Sequence, residues 1–524
     1  MREGHPMTAT TTHAPSPARH VLQLTRTMFR KGPAQRTLHL TWFAFFCTFV
    51  VWFSFAPFAT TIGRQFDLTK GQLVTLGLCN LALTIPARLV VGTLLDRIGP
   101  RRTFTGILVY AAAASLLFAT AQSFEMLVVS RLAVSVVGAG FVVGIRMVAE
   151  WFPRSELGTA EGIYGGWGNF GAAAATLALP PLAALIGGPD GWRWATGGVG
   201  VAAAIYGLAY FRLVDDTPAG VPFERTRSAT ALQVPDRRSV FGLMALSVPL
   251  AFALGVIVWR INVAGVIGSA GMVGGFAFVV VLLGLQLTAI WRTNTAARAN
   301  AVPAAEEYPF RSVVALAFAY ACTFGSELAA VSFLPEYFER TWGLSEMVAG
   351  AAAAGFAVLN LVSRPMGGML SDVVSSRRRW LSTLLAGLSL GFVALSTVSG
   401  DWPVAAAFAL VVVTSIFAQL GNGAVYAIVP LVNKKASGQI AGMVGAYGNA
   451  GGIAFLTTLL FASTGVGFLI TAGAAALAMV AGRWLVEPGR NPSDATPAVV
   501  EATAGSGHPG IEVAGLSVEP AMAG

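Results

Sequence analysis

Fourteen apolar runs, each about twenty residues long or more, follow one another between Leu40 and Leu485. A helix needs roughly 20 mostly apolar residues to cross about 30 Å of hydrocarbon. So many runs of that length leave room for one fold class, an all-α polytopic membrane protein. Composition agrees: charged residues are 11% of the chain, against about 25% in soluble domains. That excludes a soluble enzyme, a nucleic-acid binder and a disordered scaffold. The net charge of +9 belongs to no compact basic domain.

The runs fall into three groups. Six come first: Leu40–Ile62, Gln72–Leu95, Thr103–Ala121, Met126–Trp151, Thr159–Leu185 and Trp194–Leu213. Two stand alone, Val240–Val258 and Val263–Ile290. Six close the array: Val313–Phe338, Val348–Leu370, Trp380–Val398, Trp402–Pro430, Gly438–Phe461 and Gly465–Leu485. The expected organisation is a cytoplasmic tail (1–39), a six-helix bundle (40–213), a linker (214–239), two additional helices (240–290), a second linker (291–312), a second six-helix bundle (313–485) and a disordered cytoplasmic tail (486–524). The start of the chain also reads as disordered, and the first span as an uncleaved anchor. Of the 34 Lys/Arg, 25 lie in or beside segments on the side of the amino terminus, and five (Arg64, Lys70, Arg193, Arg260, Arg340) on the other. Basic residues mark cytoplasmic loops, so both termini are expected inside.

Cys47, Cys79 and Cys322 sit in apolar runs without metal-ligand spacing, and every histidine precedes the first span or lies in the last tail. No nucleophile–base pair, phosphate loop or dinucleotide fingerprint is present. The expectation is no enzyme, no metal and no cofactor.

The array contains itself twice. Pro86-Ala-Arg88-Leu-Val-Val-Gly92-Thr-Leu-Leu-Asp96-Arg97 is answered by Ser363-Arg364-Pro-Met-Gly367-Gly368-Met-Leu-Ser-Asp372, each with an arginine eight residues before an aspartate. Gly162-Ile-Tyr-Gly165-Gly-Trp-Gly168-Asn169-Phe-Gly171 is answered by Gly442-Met-Val-Gly445-Ala-Tyr-Gly448-Asn449-Ala-Gly451. A duplicated six-helix unit is the signature of secondary transporters, with the substrate site near the midplane. The two middle helices lie outside the repeat.

The loop pattern Gly-x-x-x-Asp-Arg-x-Gly-x-Arg-Arg resembles the cytoplasmic signature of the major facilitator superfamily, and the paired glycine runs ending in Gly-Asn-x-Gly resemble those of its nitrate/nitrite porter family. Phe152-Pro153 and Tyr320-Ala-Cys-Thr-Phe324-Gly-Ser326 add to the match, which covers both six-span halves. It implies a major facilitator fold of two six-helix bundles; the two extra central spans, 240–290, lie outside what it accounts for. It also implies transport of nitrate, nitrite or both across the cytoplasmic membrane of a prokaryote, and an anion site packed by the aromatic residues at Phe141 and Tyr320.

At 1.5 Å per residue, Arg88 and Arg364 each lie about 12 Å inside their aspartates, hence at equal depth. A mid-membrane arginine costs about 2.5–3.5 kcal/mol on insertion scales and needs a partner. The carboxylates read as available for pairing are Glu150 and Glu327, and Arg146, one turn before Glu150, is the nearer match for it. A small anion is then the missing partner. The planar guanidinium fork suits nitrate, nitrite or formate alike. Asn169 and Asn449 fall near the midplane as polar contacts, and Gly162, Gly165, Gly168, Gly442, Gly445 and Gly448 line helix faces that allow close approach and sliding. Asp96 and Asp372, with Arg97, Arg101, Arg102 and Arg377–Arg379, are expected to make weak, exposed charge contacts that latch the inward face.

Glu327 shares a helix face with Tyr320, two turns outward. An intramembrane carboxylate suggests a proton carrier. Nitrate/proton symport therefore stands beside nitrate/nitrite exchange, and an ion pair between Glu327 and an arginine such as Arg131 is the structural alternative. A porter for another small anion and a non-transporting anion sensor remain as rivals.

Overall fold

The computed structural model describes residues 17–225, 231–303, 306–344 and 358–487. All regular structure among them is helical. Twelve of these helices are long and apolar enough to cross a membrane. The count of fourteen is not reached among the described residues. The run Val348–Leu370 begins in residues outside the described set, which resumes with the helix Asn360–Val373. The helix Ser437–Phe461, of 25 residues, is not among the twelve.

Helix ends follow local chemistry. Thr69 and Gln72 form a reciprocal capping box at the start of Lys70–Ala82. Gly99, at φ 93°, ends Thr84–Ile98 in a conformation that favours glycine, and Pro100 opens the next helix. The run Gln72–Leu95 lies in one candidate span, Lys70–Ile98, whose helix is interrupted at Leu83 into Lys70–Ala82 and Thr84–Ile98. Pro86 lacks the N–H that would bond to the carbonyl of Ala82. Beside the hinge, the carbonyl of Asn80 accepts from the Trp52 indole at 2.8 Å and the Thr84 hydroxyl at 3.3 Å.

Packing follows the duplication. Leu157–Ile186 lies on Pro33–Trp52 in its own half and on Asn360–Val373 in the other. Ser437–Phe461 lies correspondingly on Phe310–Trp342 and on Thr84–Ile98. Each glycine-faced helix therefore packs against the arginine-bearing helix of the opposite half. Gly191–Leu213 with Pro100–Ala119, and Thr464–Ala481 with Arg377–Ser396, form matching outer pairs.

The two middle helices are Arg237–Val263 and Ser269–Thr293. The first packs on Ser437–Phe461 and Lys70–Ala82, where the Tyr447 hydroxyl donates to the Leu246 carbonyl at 2.8 Å. The second touches its hairpin mate and buries only Ile290.

The start of the chain departs from the expectation of disorder. Residues 17–28 form a helix, Pro17–Met28, whose buried Leu24 and Met28 are one turn apart and face the bundle. Residues 1–16 and the tail beyond 487 lie outside the described residues.

Candidate functional site

The hinge at Leu83 and a 3₁₀ turn at Val136–Ala139 lie side by side. There the backbone of the second helix faces that of the fourth, and Arg88, fully buried, reaches the Gly138 carbonyl through Nε and Nη2, both at 3.4 Å. Its Nη1 donates to the Gly445 carbonyl of the opposite half. Arg364 is also buried, but its Nη2 donates to the Tyr320 hydroxyl at 2.9 Å and its Nη1 has no partner. Among the described residues no carboxylate lies within 4 Å of either guanidinium.

One pair of rings serves both cations. The centroid of Phe141 is 5.6 Å from the Arg88 guanidinium carbon and 5.3 Å from that of Arg364. The centroid of Phe324 is 5.6 Å and 5.8 Å from the same atoms. Faces of aromatic rings attract cations. Tyr320 stacks on Phe324 at 5.0 Å, and Tyr426 meets Phe141 and Tyr320 edge-on at 4.6 and 4.8 Å. The two arginines, Phe141 and Tyr320 thus come together. Phe324 and Tyr426 complete the cluster, and of these Phe324 is signalled by its place one turn after Tyr320.

The glycines make this approach possible. A Cβ on Gly165 would lie 3.1 Å from Arg364 Nε, and one on Gly445 3.1 Å from Arg88 Cδ. One turn away, a Cβ on Gly162 would meet the Pro365 backbone at 2.8 Å, and one on Gly442 the Arg88 carbonyl at 2.4 Å. Gly168 and Gly448 leave space for the rings of Phe45 and Tyr320.

On the side away from Asp96 and Asp372, a cavity of about 120 Å³ is lined by Asn80, Arg131, Asn169, Phe324, Glu327 and Asn360. Both oxygens of Glu327 accept amide hydrogens at 2.6 Å, from Asn360 and Asn422. The alternative of an ion pair with Arg131 fails: that guanidinium donates to the Trp52 carbonyl at 2.9 Å and to Asn80 Oδ1. Asn169 faces the cavity with an unpartnered Nδ2, whereas Asn449 is buried outside that lining with both amide atoms unpartnered. Carboxylates inside the helices are not limited to Glu150 and Glu327. Glu161, in Leu157–Ile186, is buried with neither oxygen partnered. Its place three residues into the run Thr159–Leu185 is the signal for it.

The opposite end is shut, and not by exposed charge pairs. Asp96 is buried and accepts from the backbone N–H groups of Gly438 at 3.1 Å and Gln439 at 2.9 Å, at the start of the helix packed across from it. Asp372 accepts from the N–H groups of Gly158 at 3.0 Å and Thr159 at 2.7 Å, the same arrangement in the other half. The free N–H groups and dipole of a helix start favour a carboxylate there. Arg377 adds to Asp372 at 2.8 Å, whereas Arg101 turns to Asp215 at 2.9 Å. Arg146 holds Glu150 at 2.6 Å, lies 3.9 Å from Asp96, and donates to the Glu224 carbonyl at 3.0 Å. In the linker, burial raises the Asp216 carboxyl above its ordinary range, although the Arg101 backbone N–H donates to it at 2.7 Å.

The chain is similar to known proteins over most of its length. The model of the Major Facilitator Superfamily matches residues 41–298 and 316–515. The nitrate/nitrite transporter NrtP of Nostoc punctiforme is 45% identical over 85% of this chain and 92% of that protein. Its namesake in Picosynechococcus sp. is 45% identical over 81% and 84%. The high-affinity nitrate transporter 2.3 of Oryza sativa subsp. japonica is 28% identical over 82% and 72%. Among solved structures, the human organic anion transporter MFSD10 matches with TM-score 0.60 at 13% identity, over 86% of this chain and all of that one, which shows the fold alone. The proton:xylose symporter XylE gives 0.58 at 13%, over 87% and 96%. With its paired arginine helices, its duplicated glycine faces and these similarities across both halves, the chain belongs to the nitrate/nitrite porter family of the major facilitator superfamily, a family of membrane transporters and not of enzymes.

Proposed function

We propose that the protein carries nitrate, nitrite or both across the cytoplasmic membrane of a prokaryote by alternating access, and that nitrate enters with a proton. The two bundles, 40–213 and 313–485, are the moving halves; both termini and the Asp96 and Asp372 loops lie inside. The observation that carries the reading is the arginine pair: two buried guanidiniums, one from each half, with no carboxylate among the described residues within 4 Å of either. A small anion between them supplies the missing charge, and the free Nη1 of Arg364 supplies a donor for it. Planar oxyanions fit planar donors.

The closed end supports an alternating mechanism. Opening it requires Asp96 and Asp372 to leave the helix starts they cap, while the glycine faces let the helices shift without side chains colliding. An anion that binds better to one arrangement shifts the balance between the two.

Glu327 supports proton coupling. It lines the cavity leading to the arginines, and its neighbours are neutral amides rather than a cation. The Oδ1 atoms of Asn360 and Asn422 have no partner. A half-turn of either amide would present that oxygen to a protonated carboxyl, so the same pair serves both protonation states.

The test uses the full chain in proteoliposomes. An inward nitrate gradient should acidify the lumen and Glu327→Gln should abolish the acidification. Nitrate influx that depends on trapped nitrite and moves no protons would replace symport by exchange. Formate outcompeting nitrate would change the substrate, and nitrate binding without accumulation would leave a sensor.

A further inference from the structure

We propose that the cavity outside the arginine pair is a second anion site, built on Arg131 and Asn169, which takes a small monovalent oxyanion before it reaches Arg88 and Arg364. The inference rests on the transport reading above and extends it to the path of entry.

Arg131 is 1% exposed and lines the cavity. Its hydrogen bonds to Trp52 and Asn80 both come from Nη2, and Nε and Nη1 have no partner. The rings of Phe55 and Phe118 lie 5.4 and 5.2 Å from its guanidinium carbon, and among the described residues no carboxylate is within 4 Å of it. A buried, permanently charged group with unused donors is costly unless something accepts from them. Asn169 lines the same cavity, is buried, and has an unpartnered Nδ2. Cation and amide thus line one space, and each keeps buried donors that no protein group accepts from.

Among the described residues the one carboxylate in that lining is Glu327, whose two oxygens are taken up by Asn360 and Asn422. The cavity's cationic donors are therefore left to an outside anion. A volume of about 120 Å³ holds a four-atom anion with a little water, because one water needs about 10–15 Å³ of such space. Its many apolar walls (Phe49, Phe53 and Phe55 among them) disfavour a divalent anion that must keep its hydration shell.

Position gives the site its role. Phe324 lines the cavity, and its ring also lies against both guanidiniums of the inner pair. Phe324 therefore borders both the cavity and the inner pair. An anion held by Arg131 is thus beside a ring of the transport site, and Phe324 is the partition it passes.

Equilibrium binding of radiolabelled nitrate to the full chain in nanodiscs tests the proposal. Wild type should bind two nitrates per chain. Arg131→Gln should bind one, the Arg88→Lys/Arg364→Lys double variant one, and the triple variant none. Retention of the inner nitrate shows that Arg131→Gln is folded. Should that variant fail to fold, Asn169→Leu, which leaves the contacts of Arg131 to Trp52 and Asn80 in place, should weaken the outer nitrate about tenfold. In proteoliposomes, Arg131→Gln should raise the KM for nitrate about tenfold and lower the maximal rate far less. One nitrate per chain in wild type, lost in the double variant, overturns the second site and leaves the transport reading intact. No nitrate bound to wild type overturns the transport reading, and this inference with it.

Discussion

Arg88 and Arg364 are copies of one another in sequence, yet they stand in different chemical states. Arg88 gives all three of its nitrogens to backbone carbonyls, one carbonyl in each half of the protein. Arg364 gives one nitrogen to a hydroxyl and keeps another free. The first is a strut across the interface that also carries charge; the second has bonding capacity left for a ligand. Duplication placed both at one depth, and divergence around them assigned the work unequally. The partners differ because the fourth helix is interrupted by a 3₁₀ turn beside Arg88, whereas a tyrosine, Tyr320, stands beside Arg364.

That contrast can be broken in three ways, the largest effect first. Arg364→Lys should lower kcat/KM for nitrate uptake about 100-fold, on the scale of about 1.5–3 kcal/mol for a hydrogen bond to a charged group. Arg88→Lys should lower it only about tenfold, because an ammonium can still satisfy the Gly138 and Gly445 carbonyls. Uptake assays in proteoliposomes giving equal losses would put the two arginines back on one footing.

The glycine faces give the second contrast. A Cβ on Gly442 falls 2.4 Å from the Arg88 carbonyl, which is fixed backbone, whereas one on Gly165 falls 3.1 Å from Arg364 Nε, a side chain that can give. Gly442→Ala should cost about 1–3 kcal/mol of overpacking and slow transport severalfold. Gly165→Ala should keep a larger fraction of the wild-type rate. Thermal unfolding together with uptake distinguishes these outcomes, and an inactive, destabilised Gly165→Ala would contradict the assignment.

The closed end gives the third and smallest. Asp372 has two backbone donors, the Thr159 hydroxyl and Arg377 at 2.8 Å, whereas Asp96 has two backbone donors and a cation 3.9 Å away. Asp372→Asn should shift the population toward the inward-open state about tenfold, and Asp96→Asn a few-fold. Spin-label distances across that end measure both, and an equal shift would mean that the helix starts alone hold the gate.

Much of this was legible along the chain. Apolar run lengths gave the helices, the repeat gave equal depth for the arginines, and the seven-residue interval placed Glu327 on the face of Tyr320. The aspartates read as exposed latches from their loop setting, but they are buried caps on helix starts 213 residues or more away in sequence. Pro17–Met28 read as tail because it lies before the first apolar run. Tyr426 carries no motif that separates it from ordinary helix residues.

The sequence alone determined where each residue lies along its helix and on which face, because helical rise and pitch are fixed by local geometry. Only the tertiary structure decided what each face meets. The neighbour of Arg88, the amides around Glu327 and the free donors of Arg131 all depend on which helices lie side by side, a choice made by packing between segments far apart in the chain.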